Sequence, residues 1–171
     1  GLNHGVWRPD EPLVMSLSAQ MARSGDFVVP LLNGQPFLEK PPLYFMLGAV
    51  AGKLGGVINP LAYRSVSLLL ALLTLLLTFG MAARQSGWRQ GLLAAGILAT
   101  AGLFFRSARW IQIDIGLACA VAFSMWAYLE YLRGFKAHHA AVLGLSLGLA
   151  FMFKGLVGPA CVAAAILADL I

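Results

Sequence analysis

The chain has 171 residues, of which 60% are hydrophobic and only 11% are charged, and it carries a formal net charge of +5. Soluble domains contain about 25% charged residues, so these charges are too few to cover the surface of a soluble globule. The composition therefore excludes a disordered chain, a nucleic-acid-binding domain and a conventional soluble enzyme. It indicates an all-α membrane protein that crosses the bilayer several times.

Residues 1–61 are the polar part of the chain, and we predict that they form a first periplasmic loop with two amphipathic surface helices. The first helix is predicted over Pro12–Ser24 and the second over Leu43–Leu54. At 1.5 Å per residue, neither can cross about 30 Å of hydrocarbon. Between them, Gly25-Asp26 and Asn33-Gly34 are turn signals.

Residues 62–171 are predicted to form a transmembrane helix bundle of about five spans, the last one partial. Lys154 and the glycines that follow it interrupt the final apolar stretch, which predicts a tight hairpin or a broken helix there. Because the apolar sequence continues to the last residue, we expect this chain to be part of a longer protein. The predicted spans are Leu61–Ala82, Gly91–Phe105, Ile115–Leu132, Ala140–Phe153 and Leu156–Ile171.

Two short loops carry the cations that predict orientation. Residues 83–90 contain Arg84 and Arg89, and residues 133–139 contain Arg133 and Lys136. The excess of Lys and Arg in short cytoplasmic loops assigns these loops to the cytoplasm and residues 1–61 to the outer side.

Most of the remaining ionisable residues gather on the outer side, next to the ends of spans. Cations there suit a phosphate group, and carboxylates suit a general base or a metal ligand. The pattern therefore favours a charged, lipid-linked substrate. The residues are Asp10, Glu11, Asp26, Glu39, Lys40, Arg64, Arg106, Arg109, Asp114 and Lys154.

A series of short motifs occurs in a defined order along the chain. They are Arg8-Pro9-Asp10-Glu11, Ser24-Gly25-Asp26, Asn33-Gly34-Gln35-Pro36, Glu39-Lys40-Pro41-Pro42-Leu43-Tyr44, Tyr63-Arg64-Ser65, Ala108-Arg109 with Asp114, and Phe153-Lys154-Gly155. The series resembles the polyprenyl-phosphate-sugar-dependent membrane glycosyltransferases of the GT-C superfamily. It is most similar to the bacterial aminoarabinose transferases that act on lipid A, and more distantly to the protein O-mannosyltransferases. Leu13-Val14 and Phe27 depart from the family pattern, which usually has Arg-Tyr and Trp there.

The resemblance implies an inverting transferase in the bacterial inner membrane, with its active site on the periplasmic side. Its donor is a sugar on a polyprenyl (undecaprenyl) phosphate, and its acceptor is a lipid A-like molecule, a glycan or a protein. It implies that Asp10 is the catalytic carboxylate and that Glu39 helps to bind a divalent metal. The implied substrate-binding residues are Glu11, Lys40, Arg64, Arg109, Asp114 and Lys154.

Simpler interpretations stay open for several of these residues. Asp10 could cap the first helix, Arg64 could extend to lipid headgroups, and Asp114 could pair only with Arg109. Glu39-Lys40 could be an exposed ion pair. A transporter or flippase, or a non-catalytic membrane subunit, is the alternative function, although a transporter predicts charges near the middle of several spans.

Overall fold

The structure is a computed structural model that describes residues 5–6 and 10–169, apart from the side chain of Asp10. The described part is almost entirely helical, with one short hairpin near its beginning. In chain order the elements are α1 Asp10–Ser24, β1 Leu31–Leu32, β2 Gln35–Pro36, α2 Leu43–Gly55, α3 Pro60–Ser86, α4 Trp88–Thr100, α5 Gly102–Arg109, α6 Ile113–Gly134, α7 Ala137–Lys154 and α8 Val157–Asp169.

The two predicted surface helices are present as α1 and α2, and α1 begins two residues earlier than expected. Leu17 and Met21 are one turn apart on α1, and both are fully buried against a core that includes Phe45 of α2. Close contact requires a small residue on α2, because a Cβ atom at Gly48 would come within 2.4 Å of the Ser18 hydroxyl oxygen. Burial of this shared apolar face fixes α1 on top of α2.

The turn predicted at Asn33-Gly34 is confirmed as the tip of an antiparallel hairpin, in which Leu31 pairs with Pro36. Asn33 has a φ of 52° and Gly34 has a φ of 79°. Asn and Gly tolerate this left-handed region, which a two-residue hairpin turn requires at both central positions.

Within the described residues, three helices are each long and apolar enough to cross a membrane, namely α3, α6 and α7, and α4 with α5 could form a fourth, bent span. The first of these starts where Asn59 accepts a hydrogen bond from the Leu61 amide at 3.1 Å, with Pro60 at the first helical position. With 27 residues, α3 is about 40 Å long and exceeds the hydrocarbon thickness. The predicted all-α, multi-span membrane fold is confirmed.

The span predicted over Gly91–Phe105 is present as a bent pair of helices, because the helix is broken at Ala101. α4 ends at Thr100, Ala101 is extended with a ψ of 118°, and α5 continues at an angle of 71° to α4. The bend lets α5 bury Ser107 and Ala108. The sequence does not reveal such a break, since the apolar run Gly91–Phe105 continues through Ala101 and contains no proline.

α6, α7 and α8 follow one another as an up-and-down series. The tight turn predicted after Lys154 is confirmed, with Gly155 at a φ of 61° between α7 and α8. This connectivity brings the beginnings of α3 and α6 and the end of α7 to one end of the bundle. We call it the site end, and we call the end where α3 and α6 terminate the opposite end.

Candidate functional site

A small cleft of about 70 Å³ opens at the site end of the bundle. Three of the charged residues selected from the sequence lie in its lining, although they are far apart along the chain. The described lining consists of Val14, Lys40, Gln112, Ile113, Asp114 and Lys154.

Asp114 and Lys154 form an ion pair across the cleft. Asp114 lies in the first turn of α6 and Lys154 is the last residue of α7, and the Lys154 ammonium group donates to Asp114 Oδ1. Both side chains stay accessible, at 46% and 42% exposure. With Lys40 they present two cations and one carboxylate, so the cleft has a net charge of +1 that suits a phosphate anion. The interpretation that Asp114 pairs only with Arg109 is wrong.

Asp10 shares α1 with Val14 of the cleft lining. It is the first residue of the helix and stands four residues before Val14, which lines the cleft. Residues four apart share a helix face, so the backbone places Asp10 on the face of α1 that meets the cleft. The side chain of Asp10 lies outside the described residues, and its catalytic role stays a prediction.

Glu11 and Arg64 form a buried ion pair beneath the cleft. Their side chains are 2% and 1% exposed, and Arg64 Nη2 lies 3.1 Å from Glu11 Oε2. Arg64 also donates to the carbonyl oxygen of Gly5 at 3.2 Å, and the Ile111 amide donates to Glu11 Oε1 at 3.0 Å. The interpretation that Arg64 extends to lipid headgroups is therefore wrong. Both side chains already bind protein atoms. Their predicted contacts with the substrate remain predictions.

A second buried polar group connects α2 to the same segment of the chain. The Tyr44 hydroxyl lies 2.6 Å from Ser67 Oγ on α3 and accepts a hydrogen bond from the Gln112 amide at 3.1 Å. Burial raises the pKa of Tyr44 to about 12, outweighing the lowering by its hydrogen bonds to Ser67 and Gln112. Tyr44 is therefore neutral at any physiological pH.

The remaining predicted site residues lie nearby but outside the described lining of the cleft. Glu39 is exposed immediately before Lys40. Arg109 ends α5, and its guanidinium carbon lies 5.1 Å from the centre of the Phe105 ring. Within residues 5–6 and 10–169, no group of three His, Cys, Asp or Glu side chains is placed to hold a metal ion. The predicted metal role of Glu39 stays a prediction.

Reasoning from the sequence missed Tyr44, Ser67 and Gln112. Gln112 Nε2 donates to Asp114 Oδ2 at 3.0 Å, and Ser107 Oγ lies 3.3 Å from Gln112 Oε1. Only one signal was available: Gln112 is an uncharged polar residue between two isoleucines, just before the first turn of α6. Its partner Tyr44 on α2 is 68 residues away in the chain, a separation that no local pattern spans.

Comparison with known proteins places this arrangement in a family. Residues 39–171 match the family described as dolichyl-phosphate-mannose-protein mannosyltransferase. A relative from Sodalis glossinidius, undecaprenyl phosphate-alpha-4-amino-4-deoxy-L-arabinose arabinosyl transferase 1, is 34% identical over 157 residues. The match covers 88% of this chain and 28% of that protein, so the chain spans less than a third of this relative.

The fold of this chain is also similar to solved structures of a known protein. The chain is similar to the crystal structure of ArnT from Cupriavidus metallidurans bound to undecaprenyl phosphate, with a TM-score of 0.85 and 26% identity. That match covers 93% of this chain and 30% of the other. The apo structure of the same protein gives a TM-score of 0.81, with coverage of 88% and 29%. The family match, the arabinosyl transferase relative and the shared fold confirm the resemblance inferred from the motifs: the chain belongs to the dolichyl-phosphate-mannose-protein mannosyltransferase family of membrane glycosyltransferases.

Proposed function

We propose that the protein containing this chain is an inverting glycosyltransferase that uses a sugar carried on a polyprenyl phosphate. Undecaprenyl phosphate is the proposed carrier, since the relatives from bacteria are named for it. The proposed acceptor is a hydroxyl or phosphate group on a lipid A-like molecule, a glycan or a protein. The site lies at the end of the bundle, where membrane lipid headgroups and an amphiphilic donor meet.

The single observation that carries this proposal is the composition of the cleft. Lys154, at the end of the membrane-spanning helix α7, and Lys40, shortly before α2, supply two ammonium groups, and Asp114 balances one of them. Polyprenyl phosphate leaves the reaction with one more negative charge than it had in the donor. Ammonium groups fixed in the cleft, beside the departing phosphate, stabilise this leaving group more strongly in the transition state than in the ground state.

Asp10 is the proposed general base. The oxygen of the acceptor forms a bond to the anomeric carbon as the bond from that carbon to the phosphate oxygen breaks, and direct displacement inverts the configuration. The proton of an acceptor hydroxyl passes to the Asp10 carboxylate, whereas a phosphate acceptor needs no deprotonation. Support comes from the position of Asp10 on the α1 face that also carries Val14 of the cleft lining.

The proposed location is the inner membrane of a bacterium, with the site end at the periplasmic face. The short loops of the opposite end carry Arg84, Arg89, Arg133 and Lys136, as expected of cytoplasmic loops. A divalent metal remains a proposal at Glu39, whose carboxylate would supply one oxygen ligand. Loss of transfer on chelation and recovery with added metal would support it.

The test is a transfer assay with the full-length protein, including any sequence on either side of these 171 residues. Given a radiolabelled undecaprenyl-phosphate sugar and an outer-membrane lipid extract, it should move label to an acceptor. Asp10→Asn should reduce transfer about 100-fold or more, since general-base catalysis contributes about 10²–10⁴-fold. Asp26→Asn is the matched control, because the Asp26 carboxylate accepts a hydrogen bond from the Val28 amide in an exposed loop. Transfer by Asp10→Asn at the rate of Asp26→Asn would exclude the proposed role of Asp10.

A further inference from the structure

We propose that the connection between α5 and α6 is held by a two-point clamp, and that Tyr44 in this clamp is a positioning residue for the Asp114–Lys154 pair. The connection consists of residues 110–112. Its Ile111 amide binds Glu11 of α1, and its Gln112 amide binds Tyr44 of α2. This inference rests on the proposed function only in assigning the pair to the binding of the phosphate.

The first point of the clamp is charged and fully buried. The Glu11 carboxylate accepts from the Ile111 amide at 3.0 Å and from Arg64 at 3.1 and 3.4 Å. Hydrogen bonds to an ionised group are about twice as strong as neutral ones. Arg64, on α3, holds the carboxylate in place, so the Ile111 amide is fixed relative to both α1 and α3.

The second point is neutral and equally buried. Tyr44 is 1% exposed, and its hydroxyl oxygen can accept from the Gln112 amide while its proton is donated to Ser67. A hydroxyl has one donor and two lone pairs, so this arrangement satisfies its donor and one of its acceptors. Because Ser67 is on the long helix α3, the second point ties the connection to the same rigid element as the first.

The clamp reaches the cleft through the side chain of Gln112. With its backbone held by Tyr44, this residue donates from Nε2 to Asp114 Oδ2 at 3.0 Å, and Asp114 Oδ1 accepts from Lys154. Each oxygen of the Asp114 carboxylate therefore has its own partner. The exposed Asp114–Lys154 pair has little rigidity of its own, since an exposed ion pair adds little to stability. Its orientation is set by Gln112 and hence by Tyr44.

The test compares two substitutions that remove the same atom from equally buried tyrosines. Tyr44→Phe deletes the hydroxyl that holds Gln112. Tyr63→Phe, the matched control, deletes a hydroxyl that donates to the Val57 carbonyl oxygen at 2.8 Å in the α2–α3 connection. Both tyrosines are 1% exposed. Each full-length variant is measured for amide hydrogen exchange over residues 109–114 and for affinity toward undecaprenyl phosphate.

We expect Tyr44→Phe to speed exchange at Ile111 and Gln112 about fivefold or more and to weaken carrier affinity about fivefold, whereas Tyr63→Phe changes neither. Unchanged exchange in Tyr44→Phe would overturn the clamp. Faster exchange with an affinity equal to that of Tyr63→Phe would overturn the positioning role. If the unsubstituted protein did not bind the carrier, the proposed function would fail, while the exchange result would still decide on the clamp.

A second variant keeps the inference testable if Tyr44→Phe does not fold. Gln112→Leu acts at a half-buried side chain and removes its hydrogen bonds to Asp114 and Ser107, while the backbone amide that Tyr44 holds stays in place. It should weaken affinity for undecaprenyl phosphate several-fold without changing exchange at the Ile111 amide, which Glu11 still holds. Full affinity in Gln112→Leu would contradict the route from the clamp to the cleft.

Discussion

The most consequential single residue for stability is Glu11, because its carboxylate neutralises a fully buried arginine. Removing one partner of a buried ion pair leaves an uncompensated charge and typically costs about 3–5 kcal/mol. Arg64 is 1% exposed, so water cannot replace Glu11 without opening the core. We expect Glu11→Ala to lower the free energy of unfolding by about that amount, measured by denaturant or thermal unfolding in detergent.

A double substitution separates the charge effect from lost packing. Glu11→Leu combined with Arg64→Leu removes both charges and should be markedly less destabilising than Glu11→Ala alone. Arg133→Ala is the exposed control: Arg133 is 44% exposed and pairs with Glu130 at 3.3 Å, so its loss should cost no more than about 1 kcal/mol. Equal costs for Glu11→Ala and Arg133→Ala would contradict the buried role of the pair.

The raised pKa of Tyr44 predicts that the free energy of unfolding falls at alkaline pH. This pKa is about 12 in the folded chain and about 10 in the unfolded chain. As pH rises from 10 to 12, the unfolded state loses the phenolic proton first, so ionisation favours unfolding. The contribution of Tyr44 is complete below pH 10 and declines up to pH 12, by up to roughly 2–3 kcal/mol. Unfolding free energies measured at half-unit steps should fall more steeply in the unsubstituted protein than in Tyr44→Phe, and identical slopes would contradict the raised pKa.

At the scale of the element, the contact between α6 and α7 determines whether Asp114 and Lys154 can meet. Gly116 follows Asp114 on α6 and faces the ring of Phe153, the residue before Lys154; a Cβ atom there would lie 2.4 Å from the ring. Phe153 is buried and cannot move aside freely. We expect Gly116→Ala to force the two helices apart, to lower the free energy of unfolding by about 1–3 kcal/mol and to weaken affinity for undecaprenyl phosphate.

The neighbouring helix α7 contains two matched controls. Gly144 and Gly148 on α7 have open space where a Cβ atom would be added. Substituting either by Ala should leave stability unchanged or raise it slightly, since Ala favours helix over Gly by up to about 1 kcal/mol. A Gly116→Ala variant as stable as Gly148→Ala would show that α6 and α7 do not pack as closely as the structure indicates.

Local patterns predicted most of these elements but not the relations between them. The hairpin at Asn33-Gly34 and the turn at Gly155 were predictable because each depends on the conformational freedom of nearby residues. The break at Ala101 was not, because the 71° bend is set by burial of α5 rather than by a helix-breaking proline. Lys40, Asp114 and Lys154 were grouped from the sequence and lie together in the cleft lining. The pairing of Arg64 with Glu11 was not predictable, because the two residues lie 53 positions apart in the chain.

For the whole molecule, the distribution of charge distinguishes the two ends of the bundle. At the opposite end Glu130 pairs with both Arg84 and Arg133, which ties the end of α3 to the end of α6. Cations there exceed the available carboxylates, as the positive-inside rule requires of cytoplasmic loops. At the site end Arg64 is paired with Glu11 and Lys154 with Asp114. In the proposed orientation, the positive-inside rule is compatible with these cations on the outer side, because each is paired with a carboxylate.

This division predicts the orientation of the chain in the membrane, which labelling of single cysteines measures. Leu38 is 80% exposed in the segment before α2, and His138 is exposed in the first turn of α7. In a background in which Cys119 and Cys161 are replaced by Ala, a membrane-impermeant maleimide applied to intact spheroplasts should label Leu38→Cys. It should label His138→Cys only after the membrane is permeabilised. The reverse result would place the cleft in the cytoplasm, and with it the proposed transfer of sugar.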